Sequence, residues 1–258
     1  MNTEIKKIKK QKILFVDRDG TISDDKGAFG KNPTNYDDIL NNIELVDGAY
    51  DALKLAKAKG FLIVVISNQA GIAKGFFKES ATHIFNNTLK NLTDDMIDGY
   101  YYCHHHKTGF NKFGELEKNI RKELIKDCDC RKPHDGMFRQ CEFDLKNGEI
   151  QYIDKRIIED DLDFVPDDYI NGDREKHEYS YKIYKKKIEP MIIDKENSFM
   201  IGDKVLDVNA GLLYGVKSFL VESGEGVEEK KLIRKVNGEL DKDFFVVENL
   251  YAAVSQLS

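Results

Sequence analysis

What most constrains this 258-residue chain is a recurring pairing of short apolar runs with helical segments, each run stopping at or just before a polar residue or a glycine. Ile13 to Val16 stops at Asp17, Phe61 to Ile66 at Ser67, Tyr100 to Tyr102 at Cys103 and Ser198 to Ile201 at Gly202, with Ser218 to Val221 following. Uninterrupted apolar runs of this length suit strands buried on both faces. Gly48 to Lys59 places Ala49, Ala52, Leu53 and Ala56 at helical spacing before Gly60, and Lys78 to Leu92 and Val205 to Leu213 behave alike. The pattern predicts an α/β, Rossmann-like fold whose central, mainly parallel sheet carries helices on both faces. In open sheets of this kind ligands sit at the carboxyl ends of the strands, so the residues at those ends are the first candidates for function.

Composition narrows the partners. With 41% hydrophobic residues the chain can fill a large core, and a net charge of -6 argues against nucleic acid as the main partner. The start is basic, but the apolar run behind it ends at Asp17, far short of a signal-peptide core or a membrane span. The expectation is a cytoplasmic monomer with a basic tail over residues 1–11 and one domain over 12–258.

Residues 142–196 hold 16 Asp and Glu against 10 Lys and Arg, a surplus that by itself matches the net charge of the whole chain. Phe143 and Leu145, then Asn147-Gly148, then Ile150 and Tyr152 read as a β-hairpin, because Asn-Gly takes the positive φ angles of a tight turn. An acidic loop from Glu159 to Asp168 follows, and Tyr181, Tyr184, Ile188 and Met191 read as a returning helical face. The insertion, about 142–178, reads either as a small lid or as a solvated surface decoration.

The strongest chemical signal is Asp17-Arg18-Asp19-Gly20-Thr21 directly after a buried strand. Two carboxylates this close at a strand end are costly unless a cation or a reacting group uses them, although an Asp-rich turn is the plainer alternative. Ser67-Asn68 ends the next strand, Lys132 lies in Cys130-Arg131-Lys132-Pro133, and Gly202-Asp203-Lys204 with Asp207 follows a later strand. Carboxylates, a hydroxyl and a lysine at strand ends are the inventory for phosphoryl transfer to a carboxylate with a divalent cation. Cys103-His104-His105-His106 and Cys128-Asp129-Cys130 add a Cys₃His set, Cys103, His105, Cys128 and Cys130, suited to a closed, structural Zn²⁺. His104 or His106 could replace His105, but alternation along an extended loop favours His105.

In this order the four motifs resemble the haloacid dehalogenase (HAD) superfamily, which implies its fold and its aspartyl-phosphate chemistry. The resemblance implies that Asp17 attacks phosphorus and that Asp19 serves as acid, then base. An Asp rather than a Thr at that place implies a hydrolase. It also implies that Ser67 and Lys132 hold the phosphoryl oxygens, and that Asp17, the backbone carbonyl of Asp19 and Asp203 bind Mg²⁺, while Asp207 binds the metal through water or positions Lys204. The zinc loop, 103–130, ending in Cys-Arg-Lys-Pro, together with Ser67-Asn68-Gln69-Ala70-Gly71 and Arg131-Lys132-Pro133-His134-Asp135-Gly136-Met137, resembles the D,D-heptose 1,7-bisphosphate phosphatases and the related histidinol-phosphate phosphatases. By that resemblance Asn68, Lys74, Arg131 and Lys204 bind the substrate, a phosphorylated sugar. Ala70 and Lys74 depart from the usual Ser and Arg, and the spacer between His105 and Cys128 is long for the family. The expectation is a Mg²⁺-dependent phosphomonoesterase removing the 7-phosphate of a heptose 1,7-bisphosphate for surface polysaccharide. Histidinol-phosphate or another sugar-phosphate phosphatase is the near alternative, and a noncatalytic zinc-stabilised module is the alternative of another class.

Overall fold

The protein is described by a computed structural model over residues 9–24, 42–77, 79–110, 113–152, 184–233 and 243–258. In chain order these form β1 (Lys9–Gln11), β2 (Ile13–Val16), β3 (Ser23–Asp24), β4 (Glu44–Leu45), α1 (Ala49–Ala58), β5 (Leu62–Asn68), α2 (Glu79–Leu92) and β6 (Gly99–Cys103). There follow α3 (Gly136–Lys146), β7 (Glu149–Gln151), β8 (Lys185–Lys187), β9 (Met191–Ile193), β10 (Phe199–Gly202) and α4 (Val205–Tyr214). The described chain closes with β11 (Lys217–Val221), α5 (Gly226–Glu229), β12 (Phe244–Val247) and α6 (Leu250–Ser255).

Six strands form one sheet in the order β12-β11-β10-β2-β5-β6, and every neighbouring pair is parallel. After β2 the chain builds outward on one side through β5 and β6, then crosses to β10, β11 and β12 on the other. The order therefore reverses between β2 and β10, and the crevice beyond their carboxyl ends is where an open α/β sheet binds ligands. Side-chain alternation along β2 sends Leu14 and Val16 to one face and Ile13 and Phe15 to the other. The first face packs on α1, α2 and α6 through Leu53, Phe85 and Val254; the second packs on α3 and α4. There Phe15, Phe138 and Tyr214 stack with ring centroids 4.7–5.7 Å apart.

Sequence-predicted strands and helices fall within one or two residues of those observed, but three expectations need correction. The hairpin's first arm is helical: Phe143 and Leu145 belong to α3, whose buried face is Met137, Phe138, Cys141, Asp144 and Leu145. Gly148, at φ 72°, stops this helix instead of turning a hairpin, and Asn147 keeps a negative φ, so the two-residue turn does not form. An antiparallel ladder does exist, between β7 and β8. The helical face read from Tyr184 to Met191 is two short strands, β8 and β9. The basic tail is shorter than expected, because Lys9–Gln11 pairs in parallel with Met191–Ile193. Residues 1–8, and 153–178 of the acidic insertion, lie outside the described residues.

Where the insertion leaves and rejoins the fold, Asp144 is fully buried and saturated. Its carboxylate accepts from the Tyr101 hydroxyl at 3.0 Å, from the Gln140 and Gln151 amides, and from Lys185 Nζ at 2.7 Å. A buried carboxylate is tolerated only with this degree of pairing. Among the described residues no helix is long and apolar enough to cross a membrane.

Phe138 is fully buried between Phe15 and Tyr214. Truncation by Phe138→Ala should cost about 3–5 kcal/mol, the range for deleting a core aromatic. Urea unfolding should show this as a lower midpoint at an unchanged slope.

Candidate active site

The switch-point crevice collects buried carboxylates. Asp17 follows β2 and is pinned to the neighbouring strand by its N–H, which donates to the Ile201 carbonyl at 2.9 Å. Asp203 follows β10, and Asp207 lies in the first turn of α4. All three are buried, and one oxygen from each can be brought within 4.8 Å of the others.

Lys132, only 3% exposed, enters this group from the loop before α3. Its Nζ donates to Asp17 Oδ1 at 2.7 Å, to the Ile66 carbonyl at 2.7 Å and to Asp207 Oδ1 at 2.5 Å, so each of its three protons has an acceptor. Burial opposes the charge on Lys132, but Asp17 and Asp207 outweigh it and raise its pKa. Asp207 is committed at both ends, since its Oδ2 accepts from the Lys204 N–H and caps α4. It orients Lys132 and the Lys204 backbone at once.

One ammonium does not neutralise three carboxylates. Burial and Asp207 push Asp17 up to about 6, and burial and Asp17 push Asp203 up to about 8. Asp203 Oδ2 accepts from the Glu225 N–H at 2.9 Å, whereas its buried Oδ1 has no hydrogen-bond partner among the described residues. Gly20 and Gly224, both at positive φ, line this carboxylate, and a Cβ at either would fall within 2.3 Å of Oδ2. Excess negative charge, an orphaned buried oxygen and oxygen-only donors are what a hard divalent cation requires. Asp17 and Asp203 could hold such an ion; the side chain of Asp19 is turned to other partners.

Asp19, with 36% of its side chain exposed, accepts from Arg18 at 2.8 and 3.0 Å and from the Gln69 amide at 2.7 Å. Burial raises its pKa, but Arg18 and Gln69 outweigh that and hold it below the usual carboxylate range. The same Gln69 nitrogen donates to Ser67 Oγ at 2.8 Å, linking the second motif to the first. Asn68 exchanges hydrogen bonds with the backbone of Lys132, its Oδ1 accepting at 3.0 Å and its Nδ2 donating at 3.1 Å. Its amide thereby anchors the lysine's loop.

Lys204, half-buried, pairs with Glu225 at 3.1 Å; burial lowers its pKa, but Asp203 and Glu225 raise it by more. Arg131 donates to the His105 carbonyl at 3.2 Å, and the Lys74 ammonium lies 5.7 Å from the Phe76 ring centroid. Burial, then the charges of Lys74 and Arg131, lower the pKa of His106.

Cys103, His105, Cys128 and Cys130 converge, with sulfur and Nδ1 atoms 3.2–3.6 Å apart and no disulfide. Metal bonds of about 2.0–2.3 Å imply tetrahedral edges of roughly 3.3–3.8 Å, so the four atoms could hold one ion. The choice among three histidines is made by packing. His104 turns to Glu79 and the Tyr102 ring, and His106 Nδ1 accepts from the turn N–H groups of Thr108 and Gly109. The long spacer folds back on the second motif: the Arg121 N–H donates to the Ala73 carbonyl, and Gly75 has no room for a Cβ against Asn119.

Sequence reasoning found the carboxylates, the lysine and the cysteine set, and it overlooked Arg18, Gln69 and Asn86. Asn86, on α2, accepts from Arg18 at 2.8 Å. Arg18 carried a signal in its place between the two aspartates, whereas Asn86 had none, because only the packing of α2 brings it there.

Comparison with known proteins agrees with this geometry. The polynucleotide kinase 3 phosphatase family model matches residues 12–180, and a HAD-hydrolase-like model matches 175–253. The D-glycero-beta-D-manno-heptose-1,7-bisphosphate 7-phosphatase of Pasteurella multocida is 30% identical over 224 residues, covering 85% of this chain and 86% of that protein. The protein of the same name from Haemophilus influenzae is 31% identical over 221 residues, covering 84% of each. In fold, the chain is similar to the crystal structure of D,D-heptose 1,7-bisphosphate phosphatase from B. bronchiseptica complexed with magnesium and phosphate. That likeness has a TM-score of 0.57 at 20% identity and covers 95% of this chain and 97% of the other. The chain belongs to the HAD-like phosphatases, which are phosphoric monoester hydrolases, on the branch that holds the heptose-1,7-bisphosphate 7-phosphatases of Pasteurella and Haemophilus.

Proposed function

We propose that this phosphatase removes the 7-phosphate of a heptose 1,7-bisphosphate through a phosphorylated Asp17. The reading is carried by the saturated Lys132 ammonium, which holds one oxygen of Asp17 and leaves the other for attack, and it is supported by the relatives' names. An Asp17 oxygen forms the bond to phosphorus while the bond to the ester oxygen breaks, and that oxygen takes the proton of the Asp19 carboxyl. Water then attacks the acyl phosphate and gives a proton to ionised Asp19, which frees phosphate and restores Asp17. In the structure Asp19 has the Arg18-paired form required for this second step; an incoming phosphate dianion raises its pKa toward the protonated form required for the first.

Ser67 Oγ binds a phosphoryl oxygen, Lys132 Nζ does so by giving up one of its three present acceptors, and Asn68 keeps the lysine's backbone in place. Arg131 and Lys74 serve the second phosphate, Arg131 through a planar fork suited to phosphate oxygens. Lys204 offers a further positive charge at the rim. Asp17, Asp203 and the backbone carbonyl of Asp19 would hold Mg²⁺, which would supply the charge that lets a carboxylate approach an anionic phosphate. Cys103, His105, Cys128 and Cys130 would hold a structural Zn²⁺, because four protein ligands leave no position for substrate.

Phosphate release from the α- and β-anomers of heptose 1,7-bisphosphate, histidinol phosphate and a panel of sugar monophosphates tests the substrate. One heptose anomer should be preferred, and exclusive turnover of another ester would overturn the assignment. Asp17→Asn should lower kcat by about 10⁴-fold or more, as removal of a nucleophile does.

The cation site also makes a prediction that does not depend on activity. Because folding raises Asp17 to about 6 and Asp203 to about 8, these two carboxylates hold more protons in the metal-free native state than in the unfolded chain between pH 4 and 8. Their contribution to stability should therefore fall as pH rises through that window, and the fall should be smaller in Asp203→Asn. Added Mg²⁺ should restore the melting temperature at pH 8 in the native protein but much less in Asp203→Asn. Elemental analysis should find one zinc per chain, and chelation or Cys130→Ser should lower the melting temperature, since ligand binding at such a site contributes directly to folding.

A further inference from the structure

Arg18 stands between the two aspartates of the first motif, and its side chain is 1% exposed. A guanidinium so deeply placed is costly unless its donors are engaged. Nε and one terminal nitrogen grip Asp19 side-on, at 2.8 and 3.0 Å, and the other terminal nitrogen donates to Asn86 Oδ1 at 2.8 Å. The guanidinium carbon lies 3.8 Å from the centroid of the Phe85 ring. Phe85 and Asn86 are adjacent on α2, both buried, and Phe85 is part of the core beneath the sheet. Gln69 reaches the same carboxylate from the loop after β5, donating to the oxygen that the terminal nitrogen of Arg18 also holds. The Asp19 carboxylate is thus held between two arms rooted in different elements, even though more than a third of its side chain is open to solvent.

We infer that Arg18 is a positioning residue for proton transfer, fixing the Asp19 carboxylate from helix α2 by way of Asn86 and Phe85. The inference rests on the reading of Asp19 as acid and base. A purely structural cation would not need a planar fork directed at a partly exposed carboxylate; a lysine cannot reproduce it, because a single ammonium lacks the side-on grip and the flat face that lies on Phe85. The consequence concerns the leaving group. An alkoxide leaving from a sugar phosphate needs a proton at the moment of bond breaking, whereas 4-nitrophenolate leaves without one, so in kcat/KM, which reports the steps up to phosphorylation of Asp17, misalignment of Asp19 should penalise the first and largely spare the second, the later hydrolysis being common to both.

The test compares kcat and KM for the best alkyl phosphate of the panel above with those for 4-nitrophenyl phosphate, in the Mg²⁺-loaded native enzyme, Arg18→Lys, Asn86→Ala and Asp19→Asn. Arg18→Lys should lower kcat/KM for the alkyl ester by roughly 10²-fold through kcat, with KM nearly unchanged, as expected for a displaced catalytic group, and lower it for the aryl ester by less than about tenfold. Asn86→Ala should show the same bias at smaller size, and it gives the answer if Arg18→Lys does not fold, as judged by circular dichroism and thermal melting. Equal losses on the two esters in both variants would overturn the inference while leaving the role of Asp19 intact, provided Asp19→Asn keeps the alkyl-selective loss. Indifference of Asp19→Asn itself to the leaving group would remove both readings.

Discussion

The interaction on which the rest of the site depends is the threefold commitment of the Lys132 ammonium. Its acceptors come from the end of β2, from β5 and from the first turn of α4, so one buried cation joins the central strand to its neighbour and to the helix across the switch point. The same residue lies two positions after Cys130, and its backbone is held by Asn68. The cysteine and histidine cluster therefore sits at the base of the loop that delivers the lysine. A metal held there would bear on the site through the placement of one side chain.

Around that lysine the charge is deliberately unbalanced. Three buried carboxylates share one ammonium, and the surplus falls on Asp17 and Asp203, whose acidities are weakened until a second cation arrives. Asp207, by contrast, has both oxygens occupied, by Lys132 and by the cap of α4. Three residues of one type in one crevice thus carry separate tasks, and the difference lies in what each oxygen already touches. Gly20 and Gly224 keep the approach to Asp203 open where any side chain would close it. The Asp19 side chain stands apart from this group, its carboxylate taken up by Arg18 and Gln69.

Much of this was legible because α/β sheets announce their functional residues. Apolar runs buried on both faces give strong strand signals, and the residues that end them at Asp17, Ser67, Cys103 and Gly202 are conspicuous by contrast. The errors arose where a local signal serves two structures. Asn147-Gly148 marks a reversal in either case, but Met137, Phe138, Cys141 and Leu145 give the preceding segment a helical buried face, and the glycine ends that helix. Short strands such as β1, β8 and β9 were misread or passed over, since three residues show no periodicity and exist only through their partners. The terminal strand β12 was passed over although Phe244 to Val247 is an apolar run of the same kind as Ile13 to Val16, and it completes the sheet beside β11.

The sequence by itself determined the fold class, the carboxylate and lysine inventory of the site and the four ligands of the cysteine and histidine cluster, because each depends on residue type, short spacing and the alternation of strands with helices. Tertiary structure alone decided the division of labour. It tied Asn68 to the backbone of Lys132, set His105 rather than its two neighbours among the three cysteines, committed Asp207 to Lys132 and left Asp203 with an orphaned oxygen. It also brought Phe85 and Asn86 under Arg18, 68 residues away for the hydrogen bond to Asn86. The physical reason is that a side chain's chemistry follows from its hydrogen-bond partners and its burial. Here those partners come from strands and helices far apart along the chain, which only the packed sheet brings within reach.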